Sequence, residues 1–232
     1  MKISLSLGGS LLTGKSPEPL PFLNPDVFRR YADTLKKIHY DGHELMVVCG
    51  GGQPARYFIQ VARELNPDRN LLDNLGIKAT HINALLLMAA LGDVADKSRI
   101  YQRGSDIRYS EEGKIMVGGG YKPGSSTDYR TVIFAKNMGA DLIINATDVD
   151  GIYDRNPNVD PRANKINELT FEQLERIILE TTDQVPGDYG LFDLKAVKLA
   201  SRLDIPVIFI DGRDPNEIIN AVNGEHSGSL VR

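Results

Sequence analysis

The chain has 232 residues, 41% of them apolar and 25% charged, which suits a globular protein with a sizeable buried core and excludes a disordered or fibrous one. A net charge of −4 leaves no electrostatic footprint for nucleic acid or an anionic membrane, so any phosphate ligand must be held by local groups. No run approaches the ~20 apolar residues of a membrane span, the N-terminus enters a strand-like run directly, and one cysteine excludes an internal disulfide; a cytoplasmic protein is expected.

Ile3 to Leu7 reads as a buried strand and ends in Gly8 and Gly9. Gly9-Ser10-Leu11-Leu12-Thr13-Gly14-Lys15-Ser16 then matches the P-loop pattern letter for letter. A P-loop enters a helix from its Lys-Ser pair, whereas Ser16 is followed by Pro17, Glu18, Pro19, Leu20 and Pro21, whose rings remove donors and force extended backbone. The match is set aside, and the prolines mark an extended loop.

A helical pattern over Asp26 to His39 leads to a second strand, Leu45 to Cys49, in which Cys49 reads as a small buried hydrophobe. His39 and His43 have metal-compatible spacing but no third ligand, so they read as surface residues. Gly50, Gly52 and Ala55 then fit the dinucleotide fingerprint, with Pro54 placed for a first helical turn. That fold needs an acidic residue at the end of the next strand, about twenty residues on. Around Asp68 and Asp73 the pattern is loop and helix instead. Helices are expected over Pro54 to Leu65 and Asp73 to Leu91. The apolar block Ala84 to Leu91 leaves the second with no wet face, so it reads as a core helix or as a subunit interface.

Ile115 to Val117 is a third strand, followed by Gly118, Gly119 and Gly120 and by a donor-rich loop into a helix over Tyr129 to Met138. A fourth strand, Leu142 to Ala146, runs into a segment with clustered carboxylates and an aromatic ring; helices over Phe171 to Glu180 and Leu194 to Leu203 and a strand over Val207 to Ile210 complete the series. Strand alternating with helix predicts an α/β fold, a three-layer αβα sandwich around a mostly parallel, doubly wound sheet. Three turns of the form strand, glycine, helix are anion-binding geometry, because glycine admits positive φ and the next helix brings its positive end. Carboxylates beside phosphates imply Mg²⁺ or an organised lysine, and the whole suits phosphoryl transfer between two bound molecules.

The order and spacing of these motifs resemble the amino acid kinase superfamily, and within it the UMP kinases of archaeal type, over essentially the whole chain. The resemblance rests on Gly8-Gly9-Ser10, Gly50-Gly51-Gly52 with Arg56, and Asp73 followed by Gly76, Thr80 and Asn83. It continues through Pro123-Gly124, Thr127-Asp128, Thr147, Val149 to Tyr153 and Asp193. It implies one domain over residues 1–232, with UMP on the N-terminal half, ATP on the C-terminal half, Mg²⁺, and a homohexamer built from dimers, the Asp73 to Leu91 helix being a candidate interface. By match, Gly8, Gly9 and Ser10 would hold the transferring phosphoryl group and Gly52 and Arg56 would support the phosphates. Gly51, Asp73 and the loop Tyr121, Lys122, Pro123, Gly124, Ser125, Ser126 and Thr127 would hold UMP. Thr147, Asp148, Tyr153 and Asn156 would line the adenine and ribose site, and Asp150 and Asp193 would organise charge at the reacting centre.

Bacterial members of that family carry a lysine two residues before the glycine pair, where this chain has Ser6. Lys195, two residues after Asp193, is the first candidate to replace its charge and Lys15 the second. Asp148 stands where Asn is common and Asn156 where Asp is common. Two alternatives follow. One is another acceptor on the same scaffold, such as isopentenyl phosphate, although kinases for it carry a His shortly after the second glycine turn and Gln53 to Arg56 contain none. The other is a catalytically weak nucleotide-binding or storage protein, suggested by Ser6.

Overall fold

The structure, a computed structural model, describes residues 1–14, 23–157, 160–181 and 192–232. In chain order its elements are β1 (Lys2–Leu7), α1 (Gly9–Thr13), α2 (Pro25–Tyr40), β2 (Glu44–Cys49), α3 (Gly52–Arg63) and α4 (Arg69–Leu91). Then follow β3 (Met116–Gly118), α5 (Thr127–Met138), β4 (Leu142–Thr147), β5 (Ile152–Tyr153), β6 (Lys165–Ile166) and β7 (Glu168–Leu169). The last are α6 (Phe171–Thr181), α7 (Leu194–Leu203), β8 (Val207–Asp211), α8 (Asn216–Asn223) and β9 (Ser229–Val231). Every strand and helix expected from the sequence is present. The proline loop at 15–22 lies outside the described residues.

Seven strands form one sheet in the order β3-β2-β1-β4-β8-β9-β7, and β5 pairs with β6 in a small hairpin. The first five run parallel. β9 is antiparallel to β8, with Ile208 opposite Leu230, and parallel to β7. The chain winds outward from β1 to β2 and β3 on one side and to β4 and β8 on the other. The crevice at the carboxyl ends of the strands where winding reverses is where such sheets bind ligands.

Alternation along the strands sorts the core into two layers. Ile3, Leu5 and Leu7 face one side with Leu45, Val47 and Cys49, beneath α1, α2, α4 and α8. Met46, Val48, Ile143, Val207 and Phe209 face the other, beneath α5, α6 and α7. The second face of β1 is polar: Ser4 and Ser6 are buried there, and Ser4 Oγ donates to the Thr131 carbonyl of α5 at 2.8 Å.

Helix starts follow their caps. Asn24 accepts from Asp26 N ahead of Pro25, and Ser126 accepts from Tyr129 N. α4 begins at Arg69, a turn before the expected start, because Asp68 caps it by accepting from Leu71 N at 2.7 Å. The expectation that α4 has no wet face is also corrected: Ala84, Leu87, Met88 and Leu91 are buried, but Ile82 is 48% and Leu85 54% exposed. Arg69–Val94 is long and apolar enough by composition to cross a membrane, with a window of mean hydropathy 1.4, which corrects the expectation that no run approaches a membrane span. Here its buried side packs into the core.

Candidate active site

The first two glycine turns interlock. Gly8 and Gly9 leave β1 directly into α1, a single turn, and Gly50 to Gly52 leave β2 into α3. A Cβ on Gly9 would collide with the Gly52 amide nitrogen, and one on Gly50 with the Gly9 amide nitrogen; Gly52 itself sits at φ +61°. Only backbone fits at this contact. Thr13 fastens it: its Oγ1 donates to the Gly9 carbonyl at 3.0 Å and accepts from Gln53 N at 3.0 Å.

Side chains of α4 reach both the second and the third glycine turns. Asn83 Nδ2 donates to the Gly50 and Gly51 carbonyls at 2.7 and 3.2 Å. Thr80 Oγ1 accepts from Gly120 N at 2.8 Å, His81 Nε2 lies 2.7 Å from the Gly120 carbonyl, and Asp73 Oδ2 accepts from Gly124 N at 2.8 Å. A carbonyl can only accept, so His81 Nε2 carries the proton. Burial pulls the His81 pKa down, which keeps the ring neutral at pH 7.

These contacts frame a cleft of about 450 Å³, lined by Gly51, Gly52, Arg56, Asp73, Lys122, Gly124, Ser125, Ser126 and Thr127 among the expected residues. Ala55, Ile59, Arg69, Gly76, Ile77, Thr80 and Gly120 also line it. Tyr121 and Pro123 do not, and the Tyr121 ring lies against Arg103 and Arg130 instead. Arg56 is exposed at the cleft wall, with Nε donating to Gln53 Oε1 at 2.9 Å. Arg69 is a cation the sequence reading missed, because the helix was started after it.

Above β1 and β4 two helix starts meet. Ser126, the cap of α5, hydrogen-bonds to Asp193, the cap of α7, and Asp193 Oδ1 accepts from Lys195 N and Ala196 N at 2.8 and 3.0 Å. Asp193 thus caps α7 with one carboxylate oxygen and joins the start of α5 with the other. Beside it, Ser6 Oγ donates to Asp128 Oδ1 at 3.1 Å. Burial and the Asp193 charge push the Asp128 carboxyl up to about 6. Asn145 is the register partner of Ser6 on β4, and its Oδ1 is buried with no hydrogen bond. Lys195 is exposed, and among the described residues its ammonium forms no ion pair; Lys15 lies outside them. No cationic side chain among the described residues pairs with Asp128 or Asp193. Motif spacing gives Asp128 and Asn145 no role, since burial beside a second carboxylate is not visible in one dimension.

A second polar cluster follows β4 and β8. Tyr153 OH donates to Asp150 Oδ1 at 2.8 Å and Lys165 Nζ to Asp150 Oδ2 at 3.1 Å. Burial pushes the Asp150 pKa up, but these bonds outweigh it and the carboxyl stays below its usual range. Both Asp150 oxygens therefore accept from the β5–β6 hairpin. Thr147 is the register partner of Asp211, which holds Arg213 by a two-oxygen contact at 2.8 and 3.0 Å from Nε. The Asp211 hydrogen bond and charge raise the Arg213 pKa and the Asp148 and Asp150 charges add to it, so this guanidinium, also missed from sequence, belongs to the same loop cluster. Asn156 is buried, with its carbonyl accepting from Asp160 N at 2.9 Å. Among the described residues no group of three or more His, Cys, Asp and Glu side chains is gathered to hold a metal alone.

Comparison with known proteins agrees with this arrangement. The model of the amino acid kinase family matches residues 1–211. A uridylate kinase of Methanobrevibacter smithii is 38% identical over 100% of this chain and 99% of its own length, and one of Methanothermobacter thermautotrophicus is 38% identical with the same coverage. The crystal structure of uridylate kinase from Archaeoglobus fulgidus superposes with a TM-score of 0.85 at 34% identity, covering 100% of both chains. A UMP kinase structure from Bacillus anthracis, 23% identical with a TM-score of 0.76, shares the fold. With its glycine turns at the carboxyl edge of a parallel sheet and a family match over residues 1–211, the chain belongs to the amino acid kinase family.

Proposed function

We propose that this chain is a uridylate kinase, which transfers the γ-phosphoryl group of ATP to UMP to give UDP and ADP. The observation that carries the reading is the junction of its two halves: the interlocked glycine turns open on one side to the cleft beside α4 and border Asp128 and Asp193 on the other. UMP occupies that cleft, on the N-terminal half of a domain spanning 1–232, and ATP lies over the loops after β4 and β8. Gly8, Gly9 and Ser10 hold the transferring group, and Gly52 and Arg56 support the phosphates. Gly51, Asp73, Lys122 and residues 124–127 hold the acceptor, with the Oδ1 of Asp73, unbonded among the described residues, available to a ribose hydroxyl. Thr147, Asp148, Tyr153 and Asn156 line the donor nucleoside.

The acceptor phosphate oxygen is ionised at neutral pH, so direct in-line attack needs no general base and the protein contributes positioning and charge neutralisation. Mg²⁺ carried on the ATP phosphates fits the residues present, because two hard carboxylates without a paired cation stand beside the buried, unpartnered Asn145 Oδ1. When bound, the ion would neutralise charge developing between donor and acceptor. The assembly is a homohexamer built from three dimers.

The test is ADP release from Mg-ATP with UMP, CMP, dUMP and isopentenyl phosphate in parallel, in wild type and Asp193→Asn. Asn retains the cap, so α7 stays folded. UMP is expected to give the fastest turnover, and the variant to lose about a hundredfold or more. ATP binding with no turnover on any acceptor would instead establish a nucleotide-binding protein.

A further inference from the structure

We propose that Arg130 is a positioning residue, which fixes the root of the acceptor loop through the face of Tyr121 and so sets affinity for the acceptor without touching it. The inference rests on the kinase reading for its consequence, but its geometry stands apart from it. Arg130 is only 5% exposed, its Nε has no hydrogen bond, and its Nη1 reaches the Gln102 carbonyl at a long 3.3 Å. Among the described residues no carboxylate pairs with it. A buried guanidinium without a counter-charge is unfavourable for folding, and an apolar side chain of similar volume fits such a site at least as well.

What the guanidinium does contact is aromatic. Its Cζ lies 5.5 Å from the centroid of Tyr121 and 5.5 Å from that of Tyr129, and Arg103 Cζ lies 5.2 Å from the Tyr121 ring. Both distances to Tyr121 are within cation–π range. Tyr121 is the residue of the acceptor loop whose ring turns from the cleft to these cations, while its neighbours Gly120 and Lys122 line it. Immediately before it, the Gly120 peptide is gripped at both ends from α4, by Thr80 at the nitrogen and His81 at the oxygen. Arg130 extends from α5. The loop root is thus held by its backbone from α4 and by its ring from α5, and the residues that follow enter the cleft in a set position. Loss of one hold leaves the fold intact and loosens the loop, which lowers affinity through the ordering required on binding.

The experiment compares wild type, Arg130→Met, Arg130→Lys and Tyr121→Leu by three measurements: amide hydrogen exchange at Gly120 and Gly124 without nucleotide, KM for UMP against kcat at saturating Mg-ATP, and Tm. In Arg130→Met, exchange at both amides is expected to speed up and KM for UMP to rise about five- to tenfold, with kcat within about twofold. Its Tm is expected to stay level or rise. Arg130→Lys keeps a cation on the ring and restores most of the loss, while Tyr121→Leu reproduces it. Unchanged exchange and KM in Arg130→Met, whether Tm holds or falls, would make Arg130 purely structural and overturn the proposal. If Arg130→Met does not fold, Tyr121→Leu decides the same question. Wild type that fails to phosphorylate UMP would sink the kinase reading alone, and the exchange data would still settle the clamp.

Discussion

Asp128 shows how a residue's chemistry comes from its surroundings. Its carboxyl is raised from the usual 3.8 to about 6 by burial and by Asp193. Because the folded-state pKa is the higher one, the fold prefers the protonated form, and ionisation between about pH 4 and 6 weakens it. Stability is therefore expected to rise as pH falls through this window, and Asp128→Asn to remove that rise; Tm measured from pH 6.5 to 4.5 in both proteins checks the sign. Turnover should move the opposite way, since only the ionised group can face a cation: kcat/KM for UMP is expected to fall about tenfold per pH unit below the pKa of the free enzyme. Gly9 makes a complementary prediction from sterics. A Cβ there meets the Gly52 backbone, which no rotamer change relieves, so Gly9→Ala is expected to destabilise by about 1–3 kcal/mol by denaturant titration and to abolish turnover.

At the scale of elements, α4 acts as a ruler: Asp73, Thr80, His81 and Asn83 reach two glycine turns that are distant in sequence. Asn83→Ala removes the side-chain donor to the Gly50 carbonyl and leaves the Gly51 carbonyl only the Ala55 amide at 3.4 Å, so a loss of about 1–3 kcal/mol in stability is expected, with a rise in KM for UMP measured by steady-state kinetics. The strands and long helices that place this ruler were legible because β2 and β8 are largely apolar runs, β1 alternates Ile3, Leu5 and Leu7 with serines, β4 opens on Leu142, Ile143 and Ile144, and α2 and α5 carry strong caps. α8, β5, β6, β7 and β9 were not, since two- and three-residue strands and an eight-residue helix hold too few residues to display a period. α1 was hidden because the chain was read for a helix after Ser16, while the helix starts at Gly9 and stops at Gly14, φ +69°. Within the site, the glycine turns and carboxylates could be named from local motifs. The turn of Tyr121 away from the cleft, the Asp128–Asp193 juxtaposition and the entry of Arg213 depend on contacts between segments far apart in the chain.

For the whole molecule, acid stability and assembly depend on different groups. Asp96 is buried and held to about 2: burial pushes it up, but Ser98, Tyr101 and the Glu111 amide donate to it. A depressed pKa contributes stability that is present above about 4 and lost as pH falls toward 2, below the window of Asp128, so the two act in sequence and with opposite sign. Assembly turns on apolar surface. Phe58 and Val61 on α3, continued by Leu65, and Leu71, Ile82 and Leu85 on α4 are each at least 45% exposed, spaced so that each set lies along one helix side. Two packed helices showing apolar stripes are unusual on a monomer and suit a contact with a second copy. The protein is therefore expected to elute as an oligomer, and Ile82→Glu with Leu85→Glu to shift its mass toward the single chain in light scattering. Because Ile77 and Thr80, on the same helix, line the cleft, dissociation is expected to raise KM for UMP more than it lowers kcat. A wild type that runs as a monomer at micromolar concentration, with these side chains still exposed, would detach the α4 stripe from assembly.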